Sequence, residues 1–286
     1  MERLLVATDF SSRSDRALMR ATLLARKLGA ALTLVHVIDA DYPRALADSE
    51  QQAAEQLMEE SVATLRSEDG FSADWVVKVD DVHAGILAAS DEASADLIIL
   101  GPHRRRFADI FVGTTAQRVV EQIERPLLIA VDTPTGHYRS TLLALDFDEA
   151  SRGAARKALA MGIFDETEVV VMHAFDAPAA GLMRQALEHP HTVESYVTTE
   201  RDRADEKLAG LVKDLGLPPT CRTVVSLEGS PARAILDSAK EVGSELIVLG
   251  TNQRTGLGRA FIGSVAADVI ADAHRDILII PAGEAG

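Results

Sequence analysis

The sequence has few cysteines, few aromatic residues and no long apolar run. Cys221 is the single cysteine, so the chain cannot form an intramolecular disulfide. No stretch approaches the roughly 18 uninterrupted apolar residues of a membrane-spanning helix. The first apolar run begins within a few residues of Met1 and leaves no room for a cleavable signal peptide. These absences predict a cytoplasmic protein that folds without disulfides.

Basic residues are also fewer than acidic residues. The chain has 29 Lys and Arg against 44 Asp and Glu, a net charge of −15. An excess of negative charge repels nucleic-acid backbones and anionic lipid surfaces. The sequence has no Gly-Lys-Ser or Gly-Lys-Thr phosphate loop, no Gly-x-Ser-x-Gly turn and no Cys-x-x-Cys pair. We therefore expect neither nucleic acid nor membrane as a partner, and no catalytic class is indicated.

What the sequence does contain is an internal repeat of domain size. Asp9 returns as Asp146, and His36 returns as His173, both at an offset of 137 residues (146 − 9 and 173 − 36). A repeat of this length indicates two copies of one domain, because solenoid units have only about 20 to 50 residues. We predict that the chain has two domains.

Strand and helix signals alternate along each half. Hydrophobic residues make up 47% of the chain and aromatic residues 4%, a composition typical of helix-covered parallel sheets. The predicted strands are 4–8, 32–38, 75–79, 97–100 and 127–131, then 142–145, 168–173, 221–227, 246–249 and 277–280. This alternation predicts an α/β fold of two tandem doubly wound Rossmann-like domains, each a five-stranded, mostly parallel sheet flanked by helices. Turn formers mark 133–138 as the linker between domains 1–132 and 139–286.

Carboxylates and glycines follow the strand ends, where such sheets bind ligands. Asp9 and Asp146 end the first strands. A carboxylate there either accepts hydrogen bonds from ribose hydroxyls or caps the following helix. Gly101 and Gly250 end the fourth strands, and further glycines stand directly before helical patterns, where helix N-termini present N–H groups to phosphate.

The segment 250–264, GTNQRTGLGRAFIGS, follows a buried-type strand and closely resembles the nucleotide-binding loop of the universal stress protein family. The Asp-Phe ends of both first strands and the His-Val-Ile-Asp run at 36–39 are similar to that family as well. The likeness covers both halves, so the sequence is identified as a tandem member. The resemblance implies a stress-response protein that binds an adenine nucleotide, ATP or else AMP or ADP, with Mg²⁺.

In ATP-binding members the loop has the pattern Gly, two residues, Gly, nine residues, Gly, then Ser or Thr. The second half matches the outer positions, but Gln253 holds the middle glycine position, which is expected to weaken or reshape binding. By resemblance, Asp146 faces the ribose and the backbone of Ala174 meets the adenine edge. The candidate binding residues of this half are Ala144, Asp146, Ala174, Gly250, Thr251, Gln253, Gly263, Ser264 and Val265.

The first half departs further from the family pattern. Its loop is one residue shorter between the outer glycines and has Arg104 at the middle position. A shorter loop shifts its donors relative to the sugar site, so we expect nucleotide in the second half. The run 104–106 either holds an anion or is a solvated basic loop. The candidate residues here are Asp9, Val37, Gly101, Gly113 and Thr114.

Twelve extra residues follow the second strand of the second half. The region 178–195 is a candidate lid over the nucleotide. His189 and His191 lie within it, but no third ligand accompanies them, so exposed histidines are favoured over a metal site.

Two functions stay open. One is a nucleotide-responsive regulator that acts on protein partners. The other is a nucleotide-independent interaction protein, or a binder of another small ligand, with degenerate loops. Since no catalytic base or arginine finger is recognisable, the chain is at most a slow ATPase.

By resemblance, the halves pair through their last strands as an intramolecular pseudo-dimer, which also removes two exposed sheet edges. A homodimer of the whole chain stays open.

Overall fold

The structure, a computed structural model, describes residues 1–102, 118–119, 122–186, 189–227, 229–251 and 263–281. The elements of the first half are β1 (Arg3–Ala7), α1 (Ser12–Leu28), β2 (Ala31–Asp39), α2 (Arg44–Asp69), β3 (Asp74–Asp80), α3 (Val82–Glu92), β4 (Leu97–Leu100) and β5 (Leu127–Ile129). Those of the second half are β6 (Ser140–Ala144), α4 (Glu149–Leu159), β7 (Glu168–Phe175), α5 (Ala179–Gln185), α6 (Pro190–Asp214), β8 (Arg222–Ser226), α7 (Pro231–Glu241), β9 (Leu246–Thr251), α8 (Ser264–Asp272) and β10 (Asp276–Pro281). All ten predicted strands are present, which confirms the predicted fold class.

The ten strands form one sheet, in the order β3-β2-β1-β4-β5-β10-β9-β6-β7-β8. Neighbouring strands within each half are parallel. The halves meet at β5 and β10, which are antiparallel, with Ile277 opposite Ile129 and Ile279 opposite Leu127. The last strands of the two halves therefore pair within one chain, as the family resemblance implies.

Aliphatic side chains cover both faces of the sheet. Along β1, Leu4 and Val6 lie on the face of the sheet that α1, α2, α4 and α6 cover, whereas Leu5 lies on the face that α3, α7 and α8 cover. Successive strand residues point to opposite faces, so a strand buried on both sides is a continuous apolar run. None of the helices in the described part of the chain combines the length and the apolar character needed to span a bilayer.

A buried polar cluster fixes the segment between the halves. The carboxylate of Asp276, at the start of β10, accepts hydrogen bonds from the N–H groups of Val131 (2.7 Å) and Asp132 (3.0 Å). It also accepts from Nε of Arg20 (3.0 Å) and the hydroxyl of Tyr138 (2.6 Å). Burial and the neighbouring carboxylate raise the pKa of Tyr138 well above its ordinary value. Tyr138, the last residue of the predicted linker, is thus part of the core. The carboxylate of Asp276 binds both Tyr138 and Asp132, the residue directly before the linker.

The extra residues of the second half include a short helix, α5. Helices α2 and α6 have 26 and 25 residues, so the insertion adds an element and does not lengthen an existing one. Helix α5 packs against α6 and leaves Leu182 exposed. Its function as a lid stays a prediction. His191 is exposed beside Glu194, and the described residues contain no group of three metal-ligating side chains.

Candidate functional site

The first strand of each half ends before its neighbour does. β1 stays in register with β2 up to the pair Ala7–Val35, whereas β2 continues to Asp39. The same holds between β6 and β7, where β7 continues to Phe175. Both second strands therefore project past the first strands at the carboxyl edge, where doubly wound sheets bind ligands.

Val37 and Ala174 lie on these projecting segments. The N–H of Thr8 donates to the carbonyl of Val35 (2.9 Å), and an equivalent bond is present in the second half. In a parallel strand, the N–H and C=O of every second residue point toward the same neighbouring strand. The backbone groups of Val37 and Ala174 therefore point to the β1 and β6 side, beyond the end of the ladder.

In each half, a histidine of the second strand contacts the carbonyl group directly after the end of the first strand. Nδ1 of His36 lies 2.8 Å from the carbonyl oxygen of Thr8, and Nδ1 of His173 lies 3.0 Å from that of Leu145. Since a carbonyl oxygen can only accept, Nδ1 carries the hydrogen. A phenylalanine ring packs on each imidazole, at centroid distances of 4.6 and 4.0 Å. In the sequence these histidines serve as landmarks of the repeat, and His36 also as part of the family resemblance, but neither is predicted to have a role in the site. The signal that could have indicated a role is that both halves have a histidine at the same offset.

Asp9 is held at the start of α1. Its Oδ1 accepts hydrogen bonds from the N–H (3.1 Å) and the hydroxyl of Ser11, and its Oδ2 lies 3.7 Å from Nη2 of Arg13. Burial alone would raise the pKa of Asp9, but hydrogen bonds from Ser11 and Ser14 and the nearby guanidinium outweigh it and lower that pKa. Asp9 therefore holds Ser11, the residue directly before α1, and its binding to ribose stays a prediction.

Asp146 is placed differently. Its Oδ1 accepts a hydrogen bond from the N–H of Phe147 (2.8 Å), and its own N–H donates to the hydroxyl of Ser151 (2.9 Å). The cap of α4 is Asp148, which accepts from the N–H of Ser151 (2.7 Å). A separate carboxylate thus caps the helix in this half, and Asp146 lies exposed at the strand end.

The glycines that end the fourth strands pack against the first helix of each half. A Cβ atom at Gly101 would lie 2.8 Å from the carbonyl oxygen of Arg13, and one at Gly250 would lie 2.9 Å from Cβ of Ala154. Gly263 differs, because a Cβ there would meet no atom of the described residues within 4 Å and its φ is −60°. Packing explains Gly101 and Gly250, whereas at 263 neither the backbone conformation nor contact with the described residues requires glycine.

Helix α8 begins at Ser264, directly after its N-cap Gly263; Val265 is also in its first turn, and the helix packs against β9. Within the described residues, no side chain caps this end. The first N–H groups of a helix have no intrahelical partner. Thr251, the last residue of β9, is buried, and its hydroxyl has no hydrogen-bond partner in the described part of the chain.

The second-half candidates come together from adjacent elements. Strands β9, β6 and β7 are neighbours, so the ends that hold Gly250, Ala144 and Ala174 lie side by side. Gly113, Thr114 and Gln253, and the arginine run 104–106, lie outside the described residues.

Comparison with known proteins identifies the family. The sequence profile of the universal stress protein family matches residues 1–130 and, a second time, residues 137–281. The chain belongs to the universal stress protein family. The two matches make it a tandem member, as the internal repeat predicts.

This universal stress protein has relatives of both lengths. It is similar to universal stress protein Rv2005c of Mycobacterium tuberculosis, 24% identical over 290 residues, which cover 96% of this chain and 95% of the relative. It is also similar to universal stress protein MJ0531 of Methanocaldococcus jannaschii, 28% identical over 144 residues, which cover 50% of this chain and 82% of the relative. A crystal structure of a universal stress protein from Archaeoglobus fulgidus superposes with a TM-score of 0.71 at 17% identity and covers 98% of both chains, a likeness of fold.

Proposed function

We propose that this tandem universal stress protein is a stress-response regulator that binds an adenine nucleotide in its second half. The observation that carries the proposal is the projecting segment of β7. Ala174 presents its N–H and C=O side by side, beyond the last β6 residue that is in register with β7. An adenine edge offers a matching acceptor nitrogen and amino donor.

The remaining parts of a nucleotide have candidate partners around this segment. Asp146, whose helix-capping task is performed by Asp148, accepts hydrogen bonds from ribose hydroxyls. The first turn of α8, with Ser264 and Val265, donates N–H groups to phosphate. Gly263, which packs against none of the described residues, leaves space for phosphate to approach the backbone. Bound ATP would bring Mg²⁺ on its own phosphate oxygens.

The first half favours the second candidate function, an interaction module without nucleotide. Its carboxylate, Asp9, is already engaged by Ser11 and lies close to Arg13. A ribose would have to compete with those contacts. We therefore expect one nucleotide per chain, with the first half contributing a surface for protein partners.

Calorimetric titration of the nucleotide-stripped full chain with ATP and Mg²⁺, AMP and ADP tests this proposal. We expect one site, weakened at least about 10-fold by Asp146→Ala, because the loss of a charge-assisted hydrogen bond costs about 1.5–3 kcal/mol. Asp9→Ala is the matched control and should leave affinity unchanged. Circular dichroism verifies that both variants fold. Two sites of equal affinity would overturn the assignment to the second half, and no binding of any nucleotide would leave the interaction module.

Gly263→Ala separates ligand binding from folding. Because a Cβ at 263 meets no atom within 4 Å in the part of the chain that the structure describes, we expect a change in unfolding free energy within about 0.5 kcal/mol. Nucleotide affinity should fall, since the methyl group occupies the phosphate approach. Urea denaturation and titration of the same sample measure both quantities. Equal loss of stability and affinity would contradict the phosphate assignment.

A further inference from the structure

We propose that His173 and His36 are positioning residues, which keep the backbone N–H groups of Ala174 and Val37 available for a ligand. In each half, the imidazole donates to the carbonyl at the end of the first strand, which the N–H of Ala174 or Val37 would otherwise bind. The ligand part of the inference rests on the proposed nucleotide function, whereas the backbone part does not.

The first half shows the replacement of a ladder bond by a side chain. After the bond from the N–H of Thr8 to the carbonyl of Val35, a parallel ladder continues with the N–H of Val37 donating to the carbonyl of Thr8. The observed register ends one pair earlier, at Ala7. The carbonyl of Thr8 lies instead 2.8 Å from Nδ1 of His36.

The second half repeats the replacement. The N–H of Leu145 donates to the carbonyl of Met172 (2.9 Å), and the register ends at Ala144. The carbonyl of Leu145 lies 3.0 Å from Nδ1 of His173. The two halves differ in how they cap the next helix, through Ser11 in one and Asp148 in the other. The imidazole contact is therefore independent of the cap.

Satisfying the carbonyl does not require a histidine. The adjacent N–H of Ala174 is the donor that an ordinary parallel ladder would use, and that bond would satisfy both groups at once. With the imidazole in its place, the carbonyl keeps a partner while the N–H is left for water or a ligand. The packed phenylalanine ring, Phe147 at 4.0 Å, holds the imidazole in this position.

Amide hydrogen exchange of the nucleotide-free full chain, read by NMR, tests the backbone part. We expect the amide of Ala174 to exchange at least about 100-fold faster than that of Met172, which lies within the ladder. His173→Phe keeps a ring against Phe147 but removes the donor, so Ala174 should bind the freed carbonyl and exchange at least about 10-fold more slowly. His173→Asn keeps an N–H donor near the Nδ1 position and should preserve fast exchange.

AMP titration of the same three proteins tests the ligand part. We expect His173→Phe to weaken binding about 10-fold or more and His173→Asn to retain it, with unchanged urea midpoints as the check on folding. An Ala174 amide as protected as Met172 in the wild type, or one that His173→Phe leaves fast, would overturn the inference. If the wild type binds no nucleotide while the exchange results hold, the proposed function fails and the positioning of the backbone stands.

Discussion

At the residue scale, a close contact of the first half joins two positions that hold other residues in the second half. Val37 of β2 packs against Gly85 of α3 so closely that a Cβ on the glycine would lie 2.6 Å from Cγ1 of the valine. The equivalent positions in the second half, at offsets of 137 and 149 (174 − 37 and 234 − 85), are Ala174 and Ala234. Two alanines thus stand at the positions where the first half has a valine and a glycine, with one side-chain carbon fewer in total.

This exchange predicts strong coupling between two substitutions. Gly85→Ala alone should destabilise the protein by about 1–3 kcal/mol, because its methyl group overlaps the Val37 side chain. Val37→Ala removes the overlap, so the double variant should be more stable than the sum of the single effects by at least about 1 kcal/mol. Urea denaturation of the four proteins measures the coupling. Gly153→Ala is the control: Gly153 is on the exposed side of α4, where a Cβ would meet no described atom within 4 Å, so the change should stabilise by up to about 1 kcal/mol. Additive effects would contradict the contact.

At the element scale, the strands could be predicted because a strand that is buried on both faces consists of a continuous apolar run. The pairing of β5 with β10 followed from the same runs together with the family resemblance. Tyr138 could not be placed, because its partners Arg20 and Asp276 lie 118 and 138 residues away (138 − 20 and 276 − 138) and its neighbours are turn formers. The histidine contact could not be predicted either, since it depends on which of two donors reaches one carbonyl.

The strand starts are fastened by a repeated acidic contact. Asp96 accepts hydrogen bonds from the N–H groups of Glu2 (2.6 Å) and Arg3 (3.0 Å), and Glu245 accepts from the N–H of Arg139 (2.8 Å). In both acids, partial burial raises the pKa, but these hydrogen bonds outweigh it and leave the pKa below the ordinary value, 3.8 for Asp96 and 4.5 for Glu245. The residue before each fourth strand thus holds the start of the first strand of its half.

The lowered pKa values predict acid sensitivity at these contacts. An acid whose pKa is lower when folded contributes stability above its unfolded pKa and loses it as pH falls through the folded pKa. The stability difference between wild type and Asp96→Asn should therefore be larger at pH 6 than at pH 3, and the same should hold for Glu245→Gln. Urea denaturation across that range measures it. Glu59→Gln, at an exposed position of α2, is the charge-matched control. A difference that does not vary with pH would contradict the assignment.

At the scale of the whole molecule, one sheet and one polar cluster join the halves. Arg20 lies in α1 of the first half, whereas Asp276 opens β10 of the second. The cluster has no counterpart across the pseudo-symmetry, because the positions equivalent to Arg20 and Asp276, at offsets of 137 and 150 (157 − 20 and 276 − 126), hold Lys157 and Pro126. A fully buried carboxylate with four donors depends on all of them, since an uncompensated buried charge is strongly unfavourable.

A continuous sheet with this cluster predicts that the two halves unfold together. Trp75, the single tryptophan, lies in β3 of the first half, so its fluorescence reports on that half while far-UV circular dichroism reports on both. The two signals should have the same urea midpoint. Asp276→Asn should lower the free energy of unfolding by about 3–5 kcal/mol, because Arg20 is left buried without its carboxylate partner. The urea midpoint should therefore fall for both signals. Asp268→Asn, the same change at an exposed position of α8, should cost less than about 0.5 kcal/mol. A fluorescence transition that precedes the loss of helix signal would show that the halves unfold independently.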